Sequence, residues 1–394
     1  MRRVGLLLLA LWLAASGFGY RFGLGGTVQA APAVGTSAVS AALIDVESGR
    51  LLYSSRGDKQ MLIASLTKIM TAIVAIEHGN LSDMAKVSKN AFGKEGSSIY
   101  LKLNEEMNLK DLLFGLMLRS GNDAAVTIAE HVGGSVEGFA YLMNEKAKLI
   151  GMTNSSFKNP SGLDEDGHYS TANDMAKLTA YALRNPVFQE IVKTKMKKVP
   201  NPHESWDYTW LNKNKMLSLY DGADGVKTGY TKAAGRCLVS SATHGGQQLA
   251  VVTLSDPNDW IDHARLLDYG FQHYPLKSLV EKGAAVEGTT LVSGTDFQYP
   301  LEQGEDAKLE RKTTMNDATS TDYMLGIAGK LEFMLNGKSI GSVPLVQPGS
   351  QRLSLKDRST FTFTNTESDS WHLSDQWLYV LRTLSRVLFT GQTD

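Results

Sequence analysis

The stretch Ile63-Ala64-Ser65-Leu66-Thr67-Lys68-Ile69-Met70-Thr71-Ala72 decides how this chain folds. From Ile69 through Met70, Ala72, Ile73, Val74, Ala75 and Ile76 the residues are apolar almost all round, and a helix of that kind belongs inside a domain. Gly79-Asn80 supplies its stop, with His78 in the last turn where a cation is favoured. Ser65 therefore sits at the N-terminus of a buried helix. Lys68 lies on the same face one turn later, about 5–6 Å away at the β-carbons. An amine there is near the positive end of the helix dipole and out of water. Both effects disfavour its charged form and leave it able to take a serine proton. The pattern is common, since Ser155-Ser156-Phe157-Lys158 repeats it in a polar turn. An N-capping serine followed by a snorkelling lysine fits the same letters.

Working outward, Ala38–Val46 and Leu51–Tyr53 flank the turn Glu47-Ser48-Gly49-Arg50 and read as a hairpin. Leu109–Leu118 and Ala124–Val132 have helical spacing, with Arg119-Ser120-Gly121-Asn122-Asp123 as a tight connection in which Asn122 or Asp123 caps the second helix. Helices continue at Val136–Ile150 and Thr171–Leu183, separated by a polar turn, Phe157–Ser170, long enough to suggest a functional loop. A short strand, Gly225–Thr231, precedes two stronger ones, Arg236–Ala242 and Gln248–Leu254. A helix from Asp259 then ends at Gly270. This order predicts an α+β fold, one antiparallel sheet flanked by helices plus an all-helical lobe.

The 394 residues carry a net charge of −1, which argues against a nucleic-acid binder. Met1-Arg2-Arg3 followed by apolar Val4–Ala15, with Val28-Gln29-Ala30 before the cut, reads as an export signal over residues 1–30. Cys237 is the only cysteine, so no internal disulfide forms, and it reads as a small core hydrophobe. The eight histidines show no His-Glu-x-x-His, which gives neither a metal site nor a metalloprotease. His168 reads as a hydrogen-bonded loop residue. No phosphate or dinucleotide loop is visible, and no cofactor is called for. Residues 31–275 form the expected catalytic domain and 276–366 a small β-rich domain, with Asn336-Gly337 as a hairpin turn. In the tail, 367–394, Leu373, Trp377, Leu381, Leu384 and Leu388 share a face. That is too short an apolar run to span a bilayer but suits a helix lying on a membrane surface.

Ser65-x-x-Lys68, Ser120-Gly-Asn122 and Lys227-Thr228-Gly229 stand in order on a buried helix start, an interhelical loop and an edge strand. Together they resemble the penicillin-binding proteins and serine β-lactamases. With Asn159–Leu163, His168–Ala172, Lys227–Thr231 and Leu266–Gly270 added, the chain is most similar to the low-molecular-mass D-alanyl-D-alanine carboxypeptidases, in their spore-forming, Gram-positive branch. The resemblance implies a β-lactamase/transpeptidase-like domain acting on peptidoglycan stem peptides ending in D-Ala-D-Ala, at the outer face of the cell membrane or in the wall, with β-lactams as covalent inhibitors. It implies Ser65 as nucleophile, Lys68 as general base and Ser120 as proton relay. Asn122, Lys227, Thr228, Gly229, Tyr230 and Thr231 would bind substrate, with the Ser65 and Tyr230 N–H groups as oxyanion hole. Thr228 and Thr231 would hold the terminal carboxylate. The arginine that some relatives place before the last helix is absent from Pro257–Asp262. A β-lactamase, with a deacylating base among Asp164, Glu165 and Asp166, and a non-catalytic wall-binding module are the competing readings.

Overall fold

The structure, a computed structural model, describes residues 34–354; the expected export signal and the amphipathic tail lie outside the described residues. The chain opens with a hairpin of β1 (Ser40–Asp45) and β2 (Leu51–Ser55), Leu43 facing Tyr53. A single 3-10 turn, Ala64–Leu66, leads into α1 (Thr67–His78), whose residues Thr67 to Ala75 are all buried. The helical lobe adds α2 (Asn122–Gly133) and α3 (Val136–Leu149), and α4 (Ala172–Leu183) follows. The strands β3 (Ala223–Thr231), β4 (Gly235–His244) and β5 (Gln247–Leu254) complete the sheet before α5 (Asp259–His273). The five strands run in the order β2-β1-β5-β4-β3, every pair antiparallel.

The sheet lies between two apolar layers. Ala42 and Ile44 of β1, Val239 of β4 and Val252 of β5 face the cluster built on α1 and the helical lobe. Ala41, Leu43, Leu238 and Val251 alternate to the other face, where Leu266 and Leu267 of α5 cover them. Strands buried on both faces read as apolar runs, which is how Cys237–Val239 of β4 and Leu249–Val252 of β5 appear in the sequence.

Two local expectations are corrected, and one element was not foreseen. Gly270 does not end α5, which continues to His273; a Cβ there would come within 2.6 Å of Leu249 and 2.9 Å of Leu43, so this glycine permits close packing of helix on sheet. Neither Asn122 nor Asp123 caps α2. Its cap position is Gly121, because both side chains are used elsewhere. The sequence also gave no sign of the hairpin Met196–Val199 with Tyr208–Leu211.

Between Leu276 and Ser354 the regular structure is chiefly strand. β6 (Leu309–Met315), β7 (Gly329–Leu335) and β8 (Lys338–Val346) join Val292–Ser293 in a four-stranded antiparallel sheet. Leu331, Phe333 and Leu335 point into a separate core with Val343 and Leu345. Arg50 ties this part to the first hairpin. Its guanidinium donates to Glu305 at 2.8 and 2.6 Å and to the Pro300 carbonyl at 2.6 Å, between the rings of Tyr274 and Tyr299. Among the described residues no helix is long and apolar enough to cross a membrane.

His263 of α5 is buried between Ser240 Oγ (2.5 Å) and Thr253 Oγ1 (3.0 Å), and burial pushes it down to about 3. Its folded-state value lies below the usual 6.5, so its stabilisation is complete above 6.5 and is lost as pH falls towards 3. The loss is on the order of 4 kcal/mol. A calorimetric series from pH 7 to 4 is therefore expected to show a steeper fall in Tm for wild type than for His263→Asn. Parallel curves would refute this.

Candidate active site

The 3-10 turn carrying Ser65 is set by its neighbours. Ala64 adopts φ +47°, a conformation that non-glycine residues rarely occupy, and the Leu66 N–H closes the turn on the Ile63 carbonyl. One turn on, Lys68 is wholly buried. Its Nζ lies 3.0 Å from Ser65 Oγ, 2.7 Å from Asn122 Oδ1 and 2.6 Å from the Ser161 carbonyl oxygen. The Asn122 orientation is fixed independently, because Nδ2 donates to the Glu95 carbonyl at 2.7 Å. Two of the three neighbours of Nζ can thus only accept. A neutral amine has two N–H bonds and one lone pair, so once Asn122 and Ser161 are served the lone pair is left for the Ser65 hydroxyl.

Electrostatics favour that neutral form. Burial holds Lys68 well below the usual lysine value, and the cations of Lys227 and Lys213 add to the effect against a smaller opposing pull from Asp123. Lys227 is also buried and pushed down to about 7, by burial first and by Lys213 second; its Nζ donates to the Thr228 carbonyl. Among the described residues, none of these three lysines forms an ion pair with a carboxylate.

Ser120 takes φ +64° at the end of an irregular turn, Gly115–Arg119. Its Oγ is buried without a hydrogen-bond partner, in a protein where such groups are normally paired. Gly229 of β3 brings the strand against the nucleophile: a Cβ there would lie 3.2 Å from the Ser65 nitrogen. Tyr230 is exposed, Thr228 is half-buried, and the Thr231 hydroxyl donates to Asp164 at 3.0 Å. Ser65, Lys68 and Asn122 are thus joined directly. Lys227 joins them through its field and Gly229 through its backbone, while Thr231 is bound into the loop.

Sequence reasoning missed three contributors. Lys213 lies in the loop before β3, its backbone N–H on the Leu118 carbonyl and its Nζ 3.2 Å from Ser97 Oγ. The Ser161 carbonyl comes from a turn in which Asn159 Oδ1 accepts from Ser161 N, Ser161 Oγ and Gly162 N. Asp123 accepts from Ser98 Oγ and from the N–H groups of Ile99 and Leu101, and so pins the loop over the site. Its place beside the Ser-x-Asn segment was the only available signal.

His168 is a loop residue, as its sequence context suggests. Its Nδ1 accepts from the Lys158 N–H, so Nε2 carries the proton and donates to Thr67 Oγ1 at 2.8 Å. Arg236 is taken up by Asp259, bidentate, beneath Trp260. Cys237 is buried, and its thiol is pushed up to about 11, far from a reactive thiolate. Glu165, one of the carboxylates of the long turn, accepts from Asn159.

A buried amine facing a serine at a helix start, under an antiparallel sheet with a lysine-bearing edge strand, defines a serine acyl-transfer protein of the penicillin-binding, transpeptidase-like class. Residues 27–258 match the family model described as D-alanyl-D-alanine carboxypeptidase, peptidase S11. The chain is similar to the D-alanyl-D-alanine carboxypeptidase DacF of Bacillus subtilis, 35% identical over 79% of this chain and 82% of that protein. It is also similar to DacC of Escherichia coli, at 34% identity over 77% and 82%. Among solved structures, penicillin binding protein 5 of Haemophilus influenzae superposes with a TM-score of 0.65 at 27% identity, covering 80% of this chain and 97% of that one. The chain belongs to the D-alanyl-D-alanine carboxypeptidase family, peptidase S11.

Proposed function

We propose that this protein is a serine-type carboxypeptidase that removes the terminal D-alanine from peptidoglycan stem peptides. The observation carrying this reading is the Lys68 amine, both of whose N–H bonds are committed and whose lone pair faces Ser65 Oγ at 3.0 Å. In acylation, Lys68 takes the hydroxyl proton as Oγ bonds to the carbonyl carbon between the two D-alanines. The N–H groups of Ser65 and Tyr230 receive the developing oxyanion, a contribution worth about 10²–10³ in rate per donor. The C–N bond then breaks, and the proton passes from Lys68 through Ser120 to the departing D-alanine amine. Asn122 keeps one Nδ2 hydrogen for the substrate backbone. Lys227 and Lys213 supply the positive field, and Thr228 the hydroxyl, that receive the terminal carboxylate. Thr231 holds the loop through Asp164. Water finally attacks the ester and frees Ser65.

In a β-lactam the broken C–N bond lies within a ring, so the leaving amine stays tethered and obstructs water. The adduct persists. Export by the 1–30 signal, a small β domain over 276–366 and surface contact through the 367–394 tail complete the reading, and put the enzyme at the outer face of the cell membrane.

The test is to incubate the protein with penicillin, map the adduct by peptide mass, and follow D-alanine release from a diacetyl-Lys-D-Ala-D-Ala peptide. A stable adduct on the Ser65 peptide with D-alanine release is expected. Fast loss of the adduct with penicillin turnover would show a β-lactamase, and neither adduct nor release a binding module.

A further inference from the structure

The strand-rich segment 276–354 buries its apolar side chains well, with one local exception. Four of its large apolar residues are strongly exposed: Met315 (56%), Tyr323 (42%), Met324 (71%) and Leu325 (57%). All four belong to one end of the sheet, where β6 finishes at Met315 opposite Gly329 and the chain makes the turn Asn316–Ala328. Scattered exposed apolar residues need no explanation, but three in a row on one turn do.

The turn is built, not frayed. Ser320 Oγ accepts from the Tyr323 N–H, the Ile327 N–H closes on the Asp322 carbonyl, and Asn316 Nδ2 donates to the Ile327 carbonyl at 2.8 Å. Gly326, at φ +83°, reverses the chain directly after Leu325. The apolar side chains are therefore held outward on a tip.

The position of this tip tells what it meets. Arg352 donates from Nε to the Leu325 carbonyl at 2.6 Å, so the last described residues leave from the base of the tip. The chain that follows carries Leu373, Trp377, Leu381, Leu384 and Leu388, the face read above as membrane-associating. An apolar tip with an arginine at its base, near the end of the described chain that precedes such a tail in sequence, has the layout of an interfacial contact: hydrocarbon beyond, cation at headgroup level.

We propose that Tyr323, Met324 and Leu325 enter the surface of an anionic phospholipid membrane as a second contact beside the tail. This rests on the reading of the tail as membrane-associating. A single weak interfacial segment binds reversibly, and two joined in one chain raise the local concentration of each for the other. The second contact would also restrict the angle at which the protein stands on the lipid, because the tip belongs to a rigid sheet and the tail is joined through a chain segment.

The experiment places an environment-sensitive dye on Met324→Cys in the full chain, with Tyr141→Cys on α3 as an exposed control. Cys237, at 1% exposure, does not compete for label. With vesicles of phosphatidylglycerol and phosphatidylethanolamine, the dye at 324 is expected to shift to the blue and gain protection from aqueous quencher, and the dye at 141 to stay unchanged. Replacing Tyr323, Met324 and Leu325 together by serine is expected to weaken vesicle binding roughly tenfold. Co-sedimentation with no change at 324 would overturn the proposal and leave the tail reading standing. No co-sedimentation at all would overturn both. A dye already blue-shifted without lipid would show that the tail itself covers the tip, and would also overturn it.

Discussion

A Lys68→Arg variant is expected to fold and to be acylated by penicillin about 10²–10⁴-fold more slowly than wild type, the range for losing a positioned general base. The guanidinium brings a permanent cation and several donors for Asn122 and the Ser161 carbonyl, but it has no lone pair to offer and does not deprotonate in proteins. Ser65→Ala should lose acylation altogether. The two variants thus separate the nucleophile from its base. The pH profile of wild type carries the same information. Lys68 is held well below its usual value, so kcat/KM should rise with pH as its proton leaves, and Lys227 should lose its cation above about 7 and turn the profile down. A bound substrate carboxylate restores charge to Lys227, which moves the alkaline limb of kcat above that of kcat/KM. The two amines repel each other, so the limbs belong to the pair. A Lys68→Arg protein acylated at the wild-type rate, or a kcat/KM flat from pH 6 to 8, would remove Lys68 and Lys227 from these roles.

The legible part of this protein is the part where burial and periodicity coincide. The apolar run after Lys68 announces a buried helix, and a serine at its start is then placed by helical geometry. The five-stranded sheet was legible for the same reason, because β4 and β5 each carry an apolar run, Cys237–Val239 and Leu249–Val252. What was not legible is contributed by backbone or by long-range approach. The Ser161 carbonyl is a main-chain acceptor and has no residue-type signature. Lys213 is one cation among 40 lysines and arginines, and only the fold brings its charge near Lys68. Gly270 reads as a helix stop, though its task is to let α5 approach Leu43 and Leu249. The Asp123 carboxylate looks like a cap, yet it serves a loop more than 20 residues away, because Ile99 and Leu101 offer it N–H groups that would otherwise be unpaired.

The same distinction predicts a variant that touches no substrate and still disables the site. Gly162 has φ +81°, and a Cβ there would stand 1.9 Å from the Ala64 carbonyl oxygen, 2.5 Å from its carbon and 2.7 Å from Thr67 Oγ1. No rotamer relieves this, since the collision is with backbone. Gly162→Ala must therefore push the Asn159–Leu163 turn away from the 3-10 turn of Ser65, and the Ser161 carbonyl moves with it. That carbonyl takes one of the two Lys68 N–H bonds, so its displacement frees the amine to turn its lone pair away from Ser65. Misplacement of about 1 Å is enough for a loss on the order of 10²-fold, and the strain adds roughly 1–3 kcal/mol of destabilisation. Gly246→Ala is the control, because Gly246 has φ +85° in the β4–β5 turn with nothing within 4 Å of an added Cβ. It bears the conformational cost without the collision, and should lose some stability and no acylation. Acylation by a fluorescent penicillin and thermal unfolding, measured on both variants, read the two costs separately. Equal acylation rates in the two would mean that the Ser161 carbonyl does not hold the base.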